Sequence, residues 1–324
     1  MPRFAAAHVA IAAVTLVACS DASPPLELVG QTRIPIAYGS LDSIHTAVVA
    51  VLAPHHGTTN QFEECSGSVV QVKGSDGYVL TAAHCCSQGD VPSVVVASSD
   101  YTVGEQYIFG GTPVPPTYAV VGGSVYYDAQ FNINNLGAGY DFCMLKFSGA
   151  TGSTPTLALP ASSGDGLALG STAEHIGYGY TETSTTNSAR RTGSDSVDQA
   201  LTSLLLEYSQ GGPSHVPGTC AGDSGGPALF PAGAAQSQQA VVAVTSFGND
   251  QTCVNITLGG ASRVTAGLGT GGFITSYLAD TPTGTQAVVT SSSVPAGGPW
   301  SLVATGAGLL AAGVPLRRQK RART

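Results

Sequence analysis

Short runs of apolar and β-branched residues recur through the middle of the chain: "TAVVAVLA" (46–53), "GSVVQV" (67–72), "YVLTAA" (78–83), "SVVVASS" (93–99), "FCMLKF" (142–147) and "QAVVAVTSF" (239–247). Each has the length of a strand and is bounded by clusters of Gly, Pro, Ser and Asn, the residues that make turns. No helical pattern lies between them, which predicts antiparallel strands and loops rather than βαβ units. One segment reads as a helix, "GGFITSYLAD" (271–280). The pattern therefore predicts an all-β domain closed by a short helix, with no internal repeat.

Composition agrees with this. The 324 residues are 43% hydrophobic and only 10% charged, enough apolar material for a substantial core and too much for disorder. The net charge of -8 conceals an asymmetry, because five of the twelve basic residues (Arg317, Arg318, Lys320, Arg321, Arg323) fall at the extreme C-terminus. Residues 36–280 hold 5 basic and 18 acidic side chains, about -13 in all. That surface repels phosphate backbones and excludes nucleic acid as a partner.

The two ends have a different character. "MPRFAAAHVAIAAVTLVACS" has the layout of a secretory signal peptide over residues 1–19, with one positive charge at Arg3 and an apolar run from Phe4 to Ala18. Leu16-Val17-Ala18-Cys19 also fits a bacterial lipobox, in which Cys19 is lipidated; a cut nearby, such as after Ala22, is the other reading. Export places the cysteines in an oxidising compartment, where the six outside the leader can form three bridges. After Asp280 a charge-free Thr/Ser/Pro/Gly stretch (281–298) reads as a linker, followed by an apolar run and a basic cluster (299–324). The run from Trp300 to Leu316 would span roughly 25 Å as a helix, a marginal membrane span whose basic flank stays on the cytoplasmic side.

Three segments carry chemistry. "VLTAAHC" (79–85) sets His84 at the end of a strand-like run, "YDFCMLKF" (140–147) sets Asp141 at the start of another, and "TCAGDSGGPA" (219–228) sets Ser224 between an aspartate and two glycines. A serine hydroxyl is a poor nucleophile unless a base takes its proton, and a histidine is a good base when a carboxylate orients it. The metal alternative, built on His55-His56 and "HCC" (84–86), lacks a complete ligand set. Arg190-Arg191, in a Ser/Thr-rich stretch, reads as a solvated loop or a nicking site.

In this order, "TAAHC", "YDFCML" and "GDSGGP" resemble the chymotrypsin/trypsin-like serine peptidase family over about residues 34–280. The resemblance implies two six-stranded antiparallel β-barrels with the active site between them and a short C-terminal helix. It implies serine endopeptidase activity on polypeptides, without a cofactor or metal, through His84, Asp141 and Ser224, with the amides of Gly222 and Ser224 forming the oxyanion hole. It also implies activation by a protease. Removal of a propeptide (20–35) would free Ile36 to pair with Asp223 and leave a peptidase domain of 36–280; a cut after Arg33 would free Ile34 instead. Further implications are disulfides Cys65–Cys85 and Cys220–Cys253, with Cys86 and Cys143 left to pair. "GYGYTE" (177–182) resembles the family's Gly-Trp-Gly segment with Tyr178 in place of Trp, and Ser246-Phe247-Gly248 resembles its substrate-pairing strand.

The resemblance also implies that Gly218 and Thr219 stand at the specificity pocket. A glycine six residues before the nucleophile offers no carboxylate to a basic side chain, so cleavage after apolar or small residues is expected, with Asp250 in a loop nearby. Gly297-Gly298, the apolar run and the basic cluster resemble the GlyGly-CTERM sorting tail of some bacterial secreted peptidases. Tail or lipid would then anchor an exported enzyme to a membrane. The rival function is a catalytically inactive relative that serves as a surface-binding module; such relatives lose a triad residue, and this chain keeps all three.

Overall fold

The computed structural model describes residues 36–54, 62–87, 91–97, 117–182, 189–250 and 253–288. The leader, the propeptide with Ile34, the His55-His56 pair and the tail from residue 289 lie outside these. The first half of the chain forms Ser40–Leu41 (β1), Val48–Pro54 (β2), Phe62–Lys73 (β3), Asp76–Thr81 (β4), Val94–Ala97 (β5), Thr117–Ala119 (β6), Tyr126–Tyr127 (β7) and Cys143–Ser148 (β8). The second half forms Thr172–Gly177 (β9), Arg191–Ser196 (β10), Ala200–Leu201 (β11), Leu205–Ser209 (β12), Pro227–Phe230 (β13), Ala240–Gly248 (β14) and Leu258–Arg263 (β15). Helix α1 (Phe273–Leu278) and β16 (Thr285–Gln286) follow. The helix is shorter at both ends than the 271–280 expected.

Two curled antiparallel sheets result, ordered β16-β7-β8-β4-β3-β2-β5-β6 and β1-β10-β9-β13-β14-β15-β12-β11. Each has eight strands where six were expected. The extra strands are edge pieces of two or three residues, β6 and β16 in the first sheet and β1 and β11 in the second.

The continuous apolar run of β2 follows from burial on both faces. Val49 and Val51 pack into the first sheet's own core with Val79 and Leu145, while Val48, Ala50 and Leu52 face a core shared with the second sheet through Ile176, Leu229 and Val244. A third cluster around Leu206, Ala228, Val242 and Ala261 fills the second sheet. The shared core also takes Phe273, Ile274 and Tyr277 of α1, and the Tyr277 hydroxyl donates to the Ser124 carbonyl.

The crossing segment 36–47 is tied down by polar groups. Asp42 accepts from His45 Nδ1 at 2.9 Å and from Arg190 Nε, and His45 Nε2 meets Gln239 Oε1 at 2.9 Å. Burial would raise the Asp42 pKa, but the bond from His45 and the Arg190 charge outweigh it and hold the carboxyl well below its usual range. This corrects the reading of Arg190-Arg191 as a solvated loop: Arg190 is buried and Arg191, the first residue of β10, is 1% exposed. The polar Ser/Thr residues beside them concealed a strand.

Candidate active site

His84 lies on a single 3-10 turn, Ala83–Cys85, where β4 ends. Asp141 stands two residues before β8. Because β4 and β8 pair antiparallel with Thr81 opposite Cys143, the end of one strand meets the start of the other. His84 Nδ1 is 2.7 Å from Asp141 Oδ2, and the His84 backbone N–H donates to Oδ1 at 2.9 Å. A third bond comes from the second sheet, the Ser246 hydroxyl donating to Asp141 Oδ2 at 2.6 Å. Asp141 is fully buried, so these donors replace the water that an ionised carboxylate needs. With Asp141 accepting at Nδ1, the other ring nitrogen, Nε2, is the one left to act as a base.

Ser224 lies on the loop before β13, and that loop is pressed against the first sheet. Ser66 of β3 makes the contact twice, its N–H donating to the Ser224 carbonyl at 2.8 Å and its hydroxyl to the Gly222 carbonyl at 2.9 Å. Gly225 is required here. It has φ +82°, and a methyl group on it would stand 2.0 Å from Thr81 Oγ1 and 2.8 Å from the Ala82 nitrogen, at the end of β4 that leads into His84. Gly222 likewise has positive φ, +92°. The disulfides Cys65–Cys85, Cys86–Cys143 and Cys220–Cys253 brace the turn at His84, the entry to β8 and the loop that carries Ser224. Among the described residues, Cys65, Cys85 and His84 bring their ligand-type atoms within 4.8 Å of one another. The two sulfurs are bonded to each other, so they are no thiolate pair for a metal.

A narrow recess opens beside Ser224, between Thr219–Ala221 on one side and Ser246–Gly248 on the other, with Asp250 and Ile256 also lining it. Gly218 is not part of the lining. The Gln210 side chain stands against it, Oε1 accepting the Thr219 N–H at 2.7 Å and Nε2 donating to the Thr219 carbonyl at 3.1 Å. Beneath, the Tyr208 hydroxyl meets Thr219 Oγ1 at 2.8 Å.

Asp223 points inward and is fully buried, accepting the N–H groups of Gly179 and Cys220 at 2.8 Å each. The "GYG" segment makes room for it, since a methyl on Gly177 would lie 2.2 Å from Asp223 Oδ1. Burial pushes its pKa up to about 7, the two amide donors and nearby His175 offsetting only part of the effect. Ile36 is also fully buried and touches Gly193 of β10, and Ala37 pairs with Gly218.

A pH dependence of the uncleaved chain follows. Because the folded Asp223 binds its proton more tightly than the unfolded one, with its ordinary pKa of 3.8, stability falls as pH rises from about 4 to about 7, by at most ~4 kcal/mol, and levels off above. Thermal melts of the uncleaved Ser224→Ala chain between pH 5 and 8 should show this loss, and adding Asp223→Asn should flatten it. An unchanged slope would remove Asp223 as its source.

His84, Asp141 and Ser224 are named by sequence motifs, whereas the bond from Ser246, the double contact of Ser66, and Tyr208, Gln210 and Ile256 around the recess are not. Ser246 acts across 105 residues of chain, and no local pattern announces such a contact.

The family model described as Trypsin matches residues 49–267. The chain belongs to the trypsin family and is a serine-type endopeptidase. No curated protein matches it.

Proposed function

We propose that the protein is an exported serine endopeptidase in which Ser224 attacks the peptide carbonyl, His84 is the general base and acid, and Asp141 orients it. His84 Nε2 takes the Ser224 proton as the O–C bond forms. The amides of Gly222 and Ser224 stabilise the oxyanion, the C–N bond breaks as the amine takes the proton from His84, and water then hydrolyses the acyl-enzyme by the same steps. The observation that carries this reading is the buried His84–Asp141 pair, bonded at 2.7 Å and tied through the Ser246 hydroxyl to the wall of the recess that Ser224 also lines. The test is whether a fluorophosphonate adds to Ser224, found by mass spectrometry of the digested protein, while the chain hydrolyses peptides.

Activation fits cleavage before Ile36. The Ile36–Ala37 segment is already seated on Gly193 and Gly218, and Gly177, at the end of β9 on the other side of β10, packs against Asp223. A new amine there would give the Asp223 carboxylate the cation it lacks, lowering its pKa and ordering the oxyanion loop.

The leader and three disulfides support export. Among the described residues no helix is long and apolar enough to cross a membrane. The reading of residues 299–324 as an anchor or sorting tail rests on their order of apolar run and basic cluster. Deleting them should move the peptidase from the membrane fraction to the medium. Identical fractionation, with the tail intact on the soluble form, would remove the anchor.

A further inference from the structure

We propose that Ile256 sets substrate specificity by closing the recess beside Ser224, so that cleavage follows glycine, alanine or serine and large apolar side chains are refused. The inference rests on the peptidase reading and narrows it to one class of substrate.

The recess retains about 10 Å³ of free space, roughly what a single water requires. That suits a hydrogen, a methyl or a hydroxymethyl group and not a leucyl or benzyl group. Thr219 and Ala221 are small, and the Phe247 ring is laid across Gly260 of β15, where a methyl would meet it at 2.2 Å. Ile256 is the large aliphatic side chain that remains. A methyl on Gly248, in the wall of the recess, would stand 2.2 Å from Ile256 Cδ1 and 3.1 Å from Cγ1, so the tip of the isoleucine rests directly on that wall. Ile256 is itself 2% exposed.

The plug is held on every side. Asn249 Oδ1 accepts the N–H groups of Thr257 at 2.9 Å and Leu258 at 3.0 Å, and the Gln210 N–H donates to the Thr257 carbonyl at 3.1 Å. Cys253 is bonded to Cys220, which lines the recess. The Ile256 carbonyl lies so near Gly211 that a methyl there would approach to 2.2 Å. A loop clamped in this way acts as a fixed wall rather than a lid that a larger side chain pushes aside.

The test uses the protein cleaved before Ile36 and its Ile256→Ala and Ile256→Val variants, cleaved in the same way, on quenched peptides that differ only in the residue before the cut. Active sites are counted with diisopropyl fluorophosphonate, so that rates refer to folded enzyme. Wild type should favour alanine over leucine and phenylalanine by ~100-fold or more in kcat/KM, since each methylene in an apolar pocket changes selectivity by about 10- to 200-fold. Ile256→Ala should raise the leucine-to-alanine ratio by about 100-fold. Ile256→Val, which loses only the atom over Gly248 and stays close to the native volume, should raise it by about 10-fold. Labelled wild type that cleaves after leucine or phenylalanine as fast as after alanine, or ratios unmoved in both variants, would overturn the plug and leave the peptidase reading intact. Wild type that takes no label would overturn both.

Discussion

Replacing Ser224 by alanine will lower peptide hydrolysis by roughly 10⁶-fold in kcat, to the residue that oxyanion donors and binding support alone, a magnitude general to this triad. The effect is large because nucleophile and base act as a unit: without the hydroxyl, His84 has no proton to take and no acyl-enzyme forms. Folding should be unaffected. The loop is held by Gly225 and the backbone carbonyls of Gly222 and Ser224, and none of these contacts uses the Ser224 side chain. Melting temperature and hydrolysis measured on the same preparation decide the matter, and appreciable activity in the variant would remove Ser224 from the mechanism.

Asp141→Asn is the second large effect, about 10⁴-fold in kcat. Asp141 accepts three hydrogen bonds, from the His84 ring, the His84 amide and Ser246. An asparagine presents one acceptor and one donor, so its NH₂ must face a donor or turn His84 Nδ1 into an acceptor. The second outcome puts the ring proton on Nε2, where it blocks attack by Ser224. The loss should shrink at high pH as direct ionisation of the serine takes over, a response that simple unfolding would not give. An unchanged pH profile, with full fluorophosphonate labelling at pH 7, would show that Asp141 does not orient the base.

The legible parts of the sequence were those where burial is apolar. β2, β4, β8 and β14 were visible as runs because their inward positions are Val, Leu, Ala and Phe. β9 and β10 were not. Their buried positions include Glu174, His175, Arg191 and Asp195, and His175 Nε2 meets Asp195 Oδ1 at 3.1 Å. Hydrogen bonds of Glu174 to Thr192 and Gln239, and the His175–Asp195 pair, stand in for hydrophobicity there, and a strand built in that way carries no apolar alternation. The site divides along the same line. His84, Asp141 and Ser224 each stand in a local motif, whereas Ser66 acts on Gly222 and Ser224, remote in sequence, and Ile256 meets Gly248 across a loop with no motif of its own. Arg190 was misread because its counter-ion Asp42 lies 148 residues away.

The double grip of Ser66 on the Gly222 and Ser224 carbonyls has a consequence for biosynthesis. The nucleophile belongs to one half of the molecule and is held in place by a strand of the other, next to the bridge between Cys65 and Cys85. A chain with only one sheet formed therefore has a serine but no hydrolase. Completion of both sheets is thus a condition for any peptidase activity, and a half-folded copy would be no threat to its neighbours.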